Sequence, residues 1–75
     1  MDEWEIEAWP IRNGWVPTNW SADGKETGGV FHGAAYTYCF RATGPKHIST
    51  FGVGFTEALA REDAQRRIQE IVNRG

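Results

Sequence analysis

Cysteine is nearly absent: Cys39 stands alone among 75 residues. That excludes an intrachain disulfide and suits a reducing compartment. Long apolar runs are missing too, and nothing approaches the roughly 20 residues of a membrane-spanning helix. The two histidines, His32 and His47, lack any zinc-ligand spacing with Cys39. The start Met1-Asp2-Glu3-Trp4-Glu5 is acidic where a signal peptide is basic and then apolar, so a cytoplasmic location is expected. Repeats, low-complexity tracts and linkers are also lacking. The expectation is a single α+β domain over residues 1–75, with stability resting on four tryptophans, four phenylalanines and two tyrosines.

Strong charge of either sign is lacking as well. The net charge of −2 conceals six acids against two bases in residues 1–30, and four acids against six bases in residues 31–75. Neither half carries the uncompensated basic stripe of a duplex-binding domain, and a DNA mimic would need far more acid.

What is present is alternation. Trp4, Ile6 and Ala8 share one strand face and Glu3, Glu5 and Glu7 the other. Asn13-Gly14 is a type I′ hairpin signal, because both positions tolerate positive φ. A two-residue turn there pairs Ile11 with Val16 and Trp9 with Thr18. It also puts Trp9 and Ile11 on the face opposite Trp4, Ile6 and Ala8, so a bulge or break is expected at Trp9-Pro10. Residues 21–29 read as a polar loop or wide hairpin. Val30 to Arg41 is the longest strand candidate, followed by Ile48 to Phe55. With Ala42 to His47 as the loop, Tyr38 lies opposite Phe51, Tyr36 opposite Val53 and Ala34 opposite Phe55, giving a bulky and a small-residue face.

Thr56 is a good N-cap and Glu57 follows in the first turn. Ala60, Ala64, Ile68, Ile71 and Val72 form an apolar stripe. The expected fold is β-β-β(-β)-α: an antiparallel three- to four-stranded sheet with a helix over residues 57–73 covering Tyr36, Tyr38, Phe51 and Val53. The pairs Glu57/Arg61, Glu62/Arg66, Asp63/Arg67 and Glu70/Arg74 sit at i, i+4 in the favourable order. They favour a solvated helix face over a polyanion contact.

The junction Gly54-Phe55-Thr56-Glu57-Ala58-Leu59-Ala60-Arg61-Glu62-Asp63-Ala64 resembles the matching stretch of a double-stranded-RNA-binding domain. Gly54, Thr56, Ala60, Arg61 and Ala64 sit where that family has glycine, its helix cap, alanine, a basic residue and alanine. The resemblance covers about a dozen residues and implies a shared way of packing a helix on a sheet. It does not carry RNA binding, because Glu57 and Ala58 stand where the family has phosphate-gripping lysines, and its N-terminal helix has no counterpart.

No catalytic constellation is visible, and no catalytic, metal or cofactor residue is assigned. His32 has the opposite parity to Cys39 on the expected long strand, which leaves Cys39 a buried structural residue. The glycines at 24, 28, 29 and 33 lead into a strand, so they do not form a phosphate-cradling loop. One hairpin can hardly bury Trp4, Trp9, Trp15 and Trp20 together, and tryptophan is a favoured contact residue.

The favoured reading is therefore a small non-enzymatic protein-binding module, viral or bacterial, that inhibits or modulates a larger partner. A phage-type anti-defence protein such as an anti-CRISPR is one form this takes. The expected contacts are Trp9, Trp15 and Trp20 with a small-residue sheet face containing Thr37 and Thr50, which would serve a protein partner or a symmetric homodimer. The alternative is nucleic-acid binding through Arg41, Lys46, Arg61 and Arg67.

Overall fold

The computed structural model describes residues 3–32 and 36–74. Among these residues, five strands precede one α-helix: β1 (Glu5–Trp9), β2 (Trp15–Trp20), β3 (Glu26–Phe31), β4 (Tyr38–Thr43), β5 (Ser49–Gly54) and α1 (Glu57–Arg74). The fold is α+β and antiparallel, with the C-terminal helix on one face of a sheet. The strands form two sheets, one of three strands in the order β1-β4-β5 and one of two, β2-β3. The helix lies on one face of the larger sheet and the β2–β3 hairpin on the other, giving three layers.

The β4–β5 register differs from the sequence-based expectation and inverts the faces. Gly44 to Ile48 makes the connection, with the Gly44 N–H donating to the Ile48 carbonyl at 2.8 Å. Tyr38 therefore pairs with Gly54, Phe40 with Gly52 and Ala42 with Thr50. The turn is centred on Lys46, which has φ 60, as does His47, whereas the sequence suggests a longer, earlier loop from Ala42 to His47. The register moves by an odd number of residues, so each β5 side chain exchanges faces relative to β4. Phe51 and Val53 consequently lie on the hairpin side and Gly52 and Gly54 beneath the helix. The expectation of a helix over Phe51 and Val53 is overturned.

The reason is steric. A Cβ on Gly52 would come to 2.5 Å from the Ala60 carbonyl oxygen and closer still to the Ala64 nitrogen; one on Gly54 would be 2.8 Å from the Ala60 nitrogen. Backbone rests on backbone, which Ala60 and Ala64 permit, and Phe40 fills the adjoining space with Ile6 packed against it. Thr56 caps α1, its Oγ1 accepting from the Leu59 N–H at 3.2 Å. Asp63 ties the helix to the edge of β5 by accepting from the Val53 N–H at 3.0 Å.

Asn13 and Gly14 form the expected two-residue turn, with φ 53 and 80 and the Trp15 N–H bonded to the Arg12 carbonyl at 2.9 Å. The hairpin stops after one bridge. β1 pairs with β4 and β2 with β3, so Ile11 does not pair with Val16, nor Trp9 with Thr18. No face switch is needed at Trp9-Pro10, because both faces of the larger sheet are covered. The irregularity lies in β2 instead, where register shifts follow Pro17. Val30 to Arg41 is likewise not one strand; β3 and β4 belong to different sheets.

Candidate functional site

The interior side of the hairpin is built around Arg41. Its guanidinium lies over the rings of Trp9 and Trp20, at 5.3 and 5.5 Å, and those rings meet edge-on at 5.6 Å. Glu7 pairs with it at 3.2 Å. β1 and β4 place Trp9, Glu7 and Arg41 on one sheet face by alternation, and Trp20 descends onto them from β2. Glu26 opens β3 and accepts from Trp9 Nε1 at 2.6 Å and from Arg12 at 3.0 Å. The Trp9 N–H holds the Glu26 carboxyl below its ordinary range; burial opposes this and Arg12 assists. Cys39 lies on the same sheet face as Trp9, which it opposes across the β1–β4 ladder, and is buried. Burial, with a lesser contribution from the Glu26 carboxylate, pushes its thiol up to about 11, far from a reactive thiolate.

The outward side of the hairpin is different. Trp15 pairs with Phe31 across β2–β3 and leans over Gly29, where a Cβ would lie 2.6 Å from its ring. Val16, next in the chain, is buried at 1% exposure, whereas Trp15 is 37% and Phe31 69% exposed. Phe31 keeps most of its surface in solvent and Trp15 a little over a third, so the fold takes up only part of this cross-strand aromatic pair.

The sequence-predicted contact residues thus separate. Trp9 and Trp20 come together between the layers, and Trp15 faces outward. Thr37 and Thr50 lie near opposite ends of the β4–β5 ladder: the Thr37 N–H bonds to the Gly54 carbonyl at 3.2 Å, and Thr50 pairs with Ala42. The small-residue strip is not a free surface, since the helix covers Gly52 and Gly54; Gly33 and Ala35 lie outside the described residues. Trp4 serves the fold, its ring packing on Gly44. Phe31 was missed because residues 21–29 read as loop, hiding the start of β3. The signal was there in the alternation of Thr27, Gly29 and Phe31 opposite Trp15.

The basic residues of the nucleic-acid alternative are mostly engaged. Arg41 is covered by the two tryptophans, Arg61 pairs with Glu57 at 3.5 Å, and Arg67 pairs with Asp63 at 3.1 Å while lying over the Phe51 ring. Arg66 bonds to Asp63 and Glu70 in place of the expected Glu62, and takes the Glu70 carboxylate expected for Arg74. No pocket opens and no metal-holding group of His, Cys, Asp or Glu occurs among the described residues. No helix among them is long and apolar enough to cross a membrane. No family model, no curated protein and no solved structure matches the chain.

Proposed function

We propose that this chain is a small non-enzymatic protein-binding module that inhibits or modulates a larger partner, and that Trp15 and Phe31 are its principal contacts. The observation that carries this reading is the exposed aromatic pair on the outer face of the hairpin, 37% and 69% accessible. Aromatic side chains supply large contact area at small conformational cost and dominate binding hot spots. The hairpin's inner face is meanwhile anchored by Trp9, Trp20 and Glu26, so the pair is presented on a positioned platform, which lowers the ordering cost of association. The lone unpaired cysteine supports a cytoplasmic setting, and a phage-type anti-defence role is one that suits a module of this size.

Affinity capture with the wild type, with Trp15→Ala and Phe31→Ala, and with the helix variant Glu62→Ala tests it. A captured protein retained by Glu62→Ala and lost by both hairpin variants supports the reading. Capture indifferent to Trp15 and Phe31 contradicts it. A mobility-shift assay is the complementary arm, because three helix arginines are already paired with acids. Duplex binding no tighter than micromolar at physiological salt is expected; a nanomolar complex with a steep salt dependence would transfer the function to nucleic acid.

A further inference from the structure

Two sheets present four outer edges, and three are guarded. On β1 the exposed Glu5 and Glu7 carry like charge along the strand. On β5 the outward N–H of Val53 is taken by Asp63 and Arg67 lies over Phe51 at 4.1 Å. On β2, Pro17 and the adjoining register shift interrupt the strand. Charge, covering side chains, proline and bulges are the devices by which proteins prevent edge-to-edge pairing.

The fourth edge, β3, has little such protection. Thr27 to Phe31 contains no charge and no proline, and its last residues, Val30 and Phe31, are exposed. The edge also has backbone groups with no partner among the described residues. The His32 N–H turns toward β2, donating to the Gly14 carbonyl at 2.8 Å. Alternation then directs the N–H and C=O of Phe31 and Gly29 away from β2.

We infer that the β3 edge pairs with the β3 edge of a second copy of this chain, antiparallel about a two-fold axis at Gly29. That register sets Gly29 against Gly29 and Phe31 against Thr27 of the other copy, with outward-facing backbone groups opposite one another. The paired segments bring no like charges together. The same arrangement on β1 would set its glutamates close to those of the second copy. The product is a four-stranded sheet in the order β2-β3-β3-β2, whose outer face carries two copies of the Trp15–Phe31 pair. The contact is small. Two short edges and their flanking side chains bury well under the roughly 800 Å² per partner of a standard interface, so the dimer is weak and concentration-dependent. This pairing needs no other protein and stands independently of the partner-contact reading, although both use Phe31.

Sedimentation velocity on the purified chain from micromolar to millimolar concentration, with amide exchange by NMR over the same range, tests it. The expected result is a monomer–dimer equilibrium in which the Phe31 and Gly29 amides gain protection as dimer forms. Phe31→Lys and Thr27→Lys should each weaken the dimer at least about tenfold, as edge charge does, while Glu5→Lys leaves it unchanged. Thr27→Lys removes no apolar contact, so it reads the edge even where Phe31→Lys perturbs the hairpin. A chain that stays monomeric throughout overturns the proposal. So does a dimer that leaves the Phe31 and Gly29 amides unprotected, or one that survives Thr27→Lys.

Discussion

The two faces of the β1-β4-β5 sheet are covered by opposite physical means. On the helix side, Gly52 and Gly54 bring backbone onto the backbone of Ala60 and Ala64, and Phe40 and Ile68 fill the flanks at 3% and 0% exposure. On the hairpin side, bulky rings and ions hold the layers together: Arg41 lies over Trp9 and Trp20, which meet edge-on, with Glu26 and Glu7 completing the network. The first contact is steric and apolar, so it responds chiefly to volume, and to pH through Asp63 at its edge. The second depends on ionised groups. It also contains Trp20 Nε1 and Arg41 Nε, buried with no acceptor from the described residues, and a buried unsatisfied donor costs about 1–3 kcal/mol. The hairpin layer is therefore the weaker of the two.

The largest expected effect tests the helix side. Phe40→Ala should cost about 3–5 kcal/mol in urea unfolding, the usual range for a buried phenylalanine; a loss under 1 kcal/mol would deny that Phe40 organises this layer. Gly52→Ala comes next, at about 1–3 kcal/mol for an overpacked site. It adds only a methyl group, so a neutral or stabilising outcome would mean the helix does not approach as closely as described. On the hairpin side, Trp9→Phe removes the N–H that donates to Glu26 together with part of the indole that packs on Trp20 and Arg41. A loss of at least about 1.5 kcal/mol is expected, the low end for a hydrogen bond to a charged group.

The sequence disclosed the elements better than their assembly. Thr56, Glu57 and the Ala60-Ala64-Ile68 stripe were sufficient for α1, because capping and 3.6-residue periodicity are local. Asn13-Gly14 was sufficient for its turn for the same reason. The strand partners were not legible. A type I′ turn ordinarily continues into a hairpin, but β1 bonds to β4 and β2 to β3, a choice made by tertiary packing. The β4–β5 register was lost to three residues, Lys46 and His47 at positive φ and a late Ile48, none of which announces a five-residue loop. Of the candidate site, the sequence indicated that one hairpin could hardly bury Trp4, Trp9, Trp15 and Trp20 together but did not single out Trp15, and Phe31 required a β3 strand hidden by Gly28-Gly29.

The smallest effects come from pH. Glu26 is held low by the Trp9 N–H, against burial and with help from Arg12. For Asp63, burial raises the carboxyl, but the Val53 N–H, Arg66 and Arg67 together outweigh it and leave it lowered. Unfolded, the two titrate near ~4.3 and ~3.9. Their folded values lie lower, so both contribute stability that is fully present above the unfolded values and is lost as pH falls through the folded ones. Urea midpoints should be flat from neutral pH to about pH 5 and fall below that. Glu26→Gln should remove the hairpin share of the decline and Asp63→Asn the helix share. A midpoint that rises on acidification would reverse the assignment.

Cys39 measures the difference between the faces directly, because it lies on the sheet face that the hairpin covers and its thiol is raised to about 11. The decisive measurement is its alkylation rate at fixed, mildly alkaline pH without denaturant, compared with the global unfolding rate from denaturant extrapolation. Opening of the hairpin layer alone should expose the thiol faster than global unfolding. Glu26→Gln should raise that rate several-fold, while the amides of α1 and β5 keep their full protection. Alkylation no faster than global unfolding, in the wild type and in Glu26→Gln alike, would show that the two layers open as one and contradict the account.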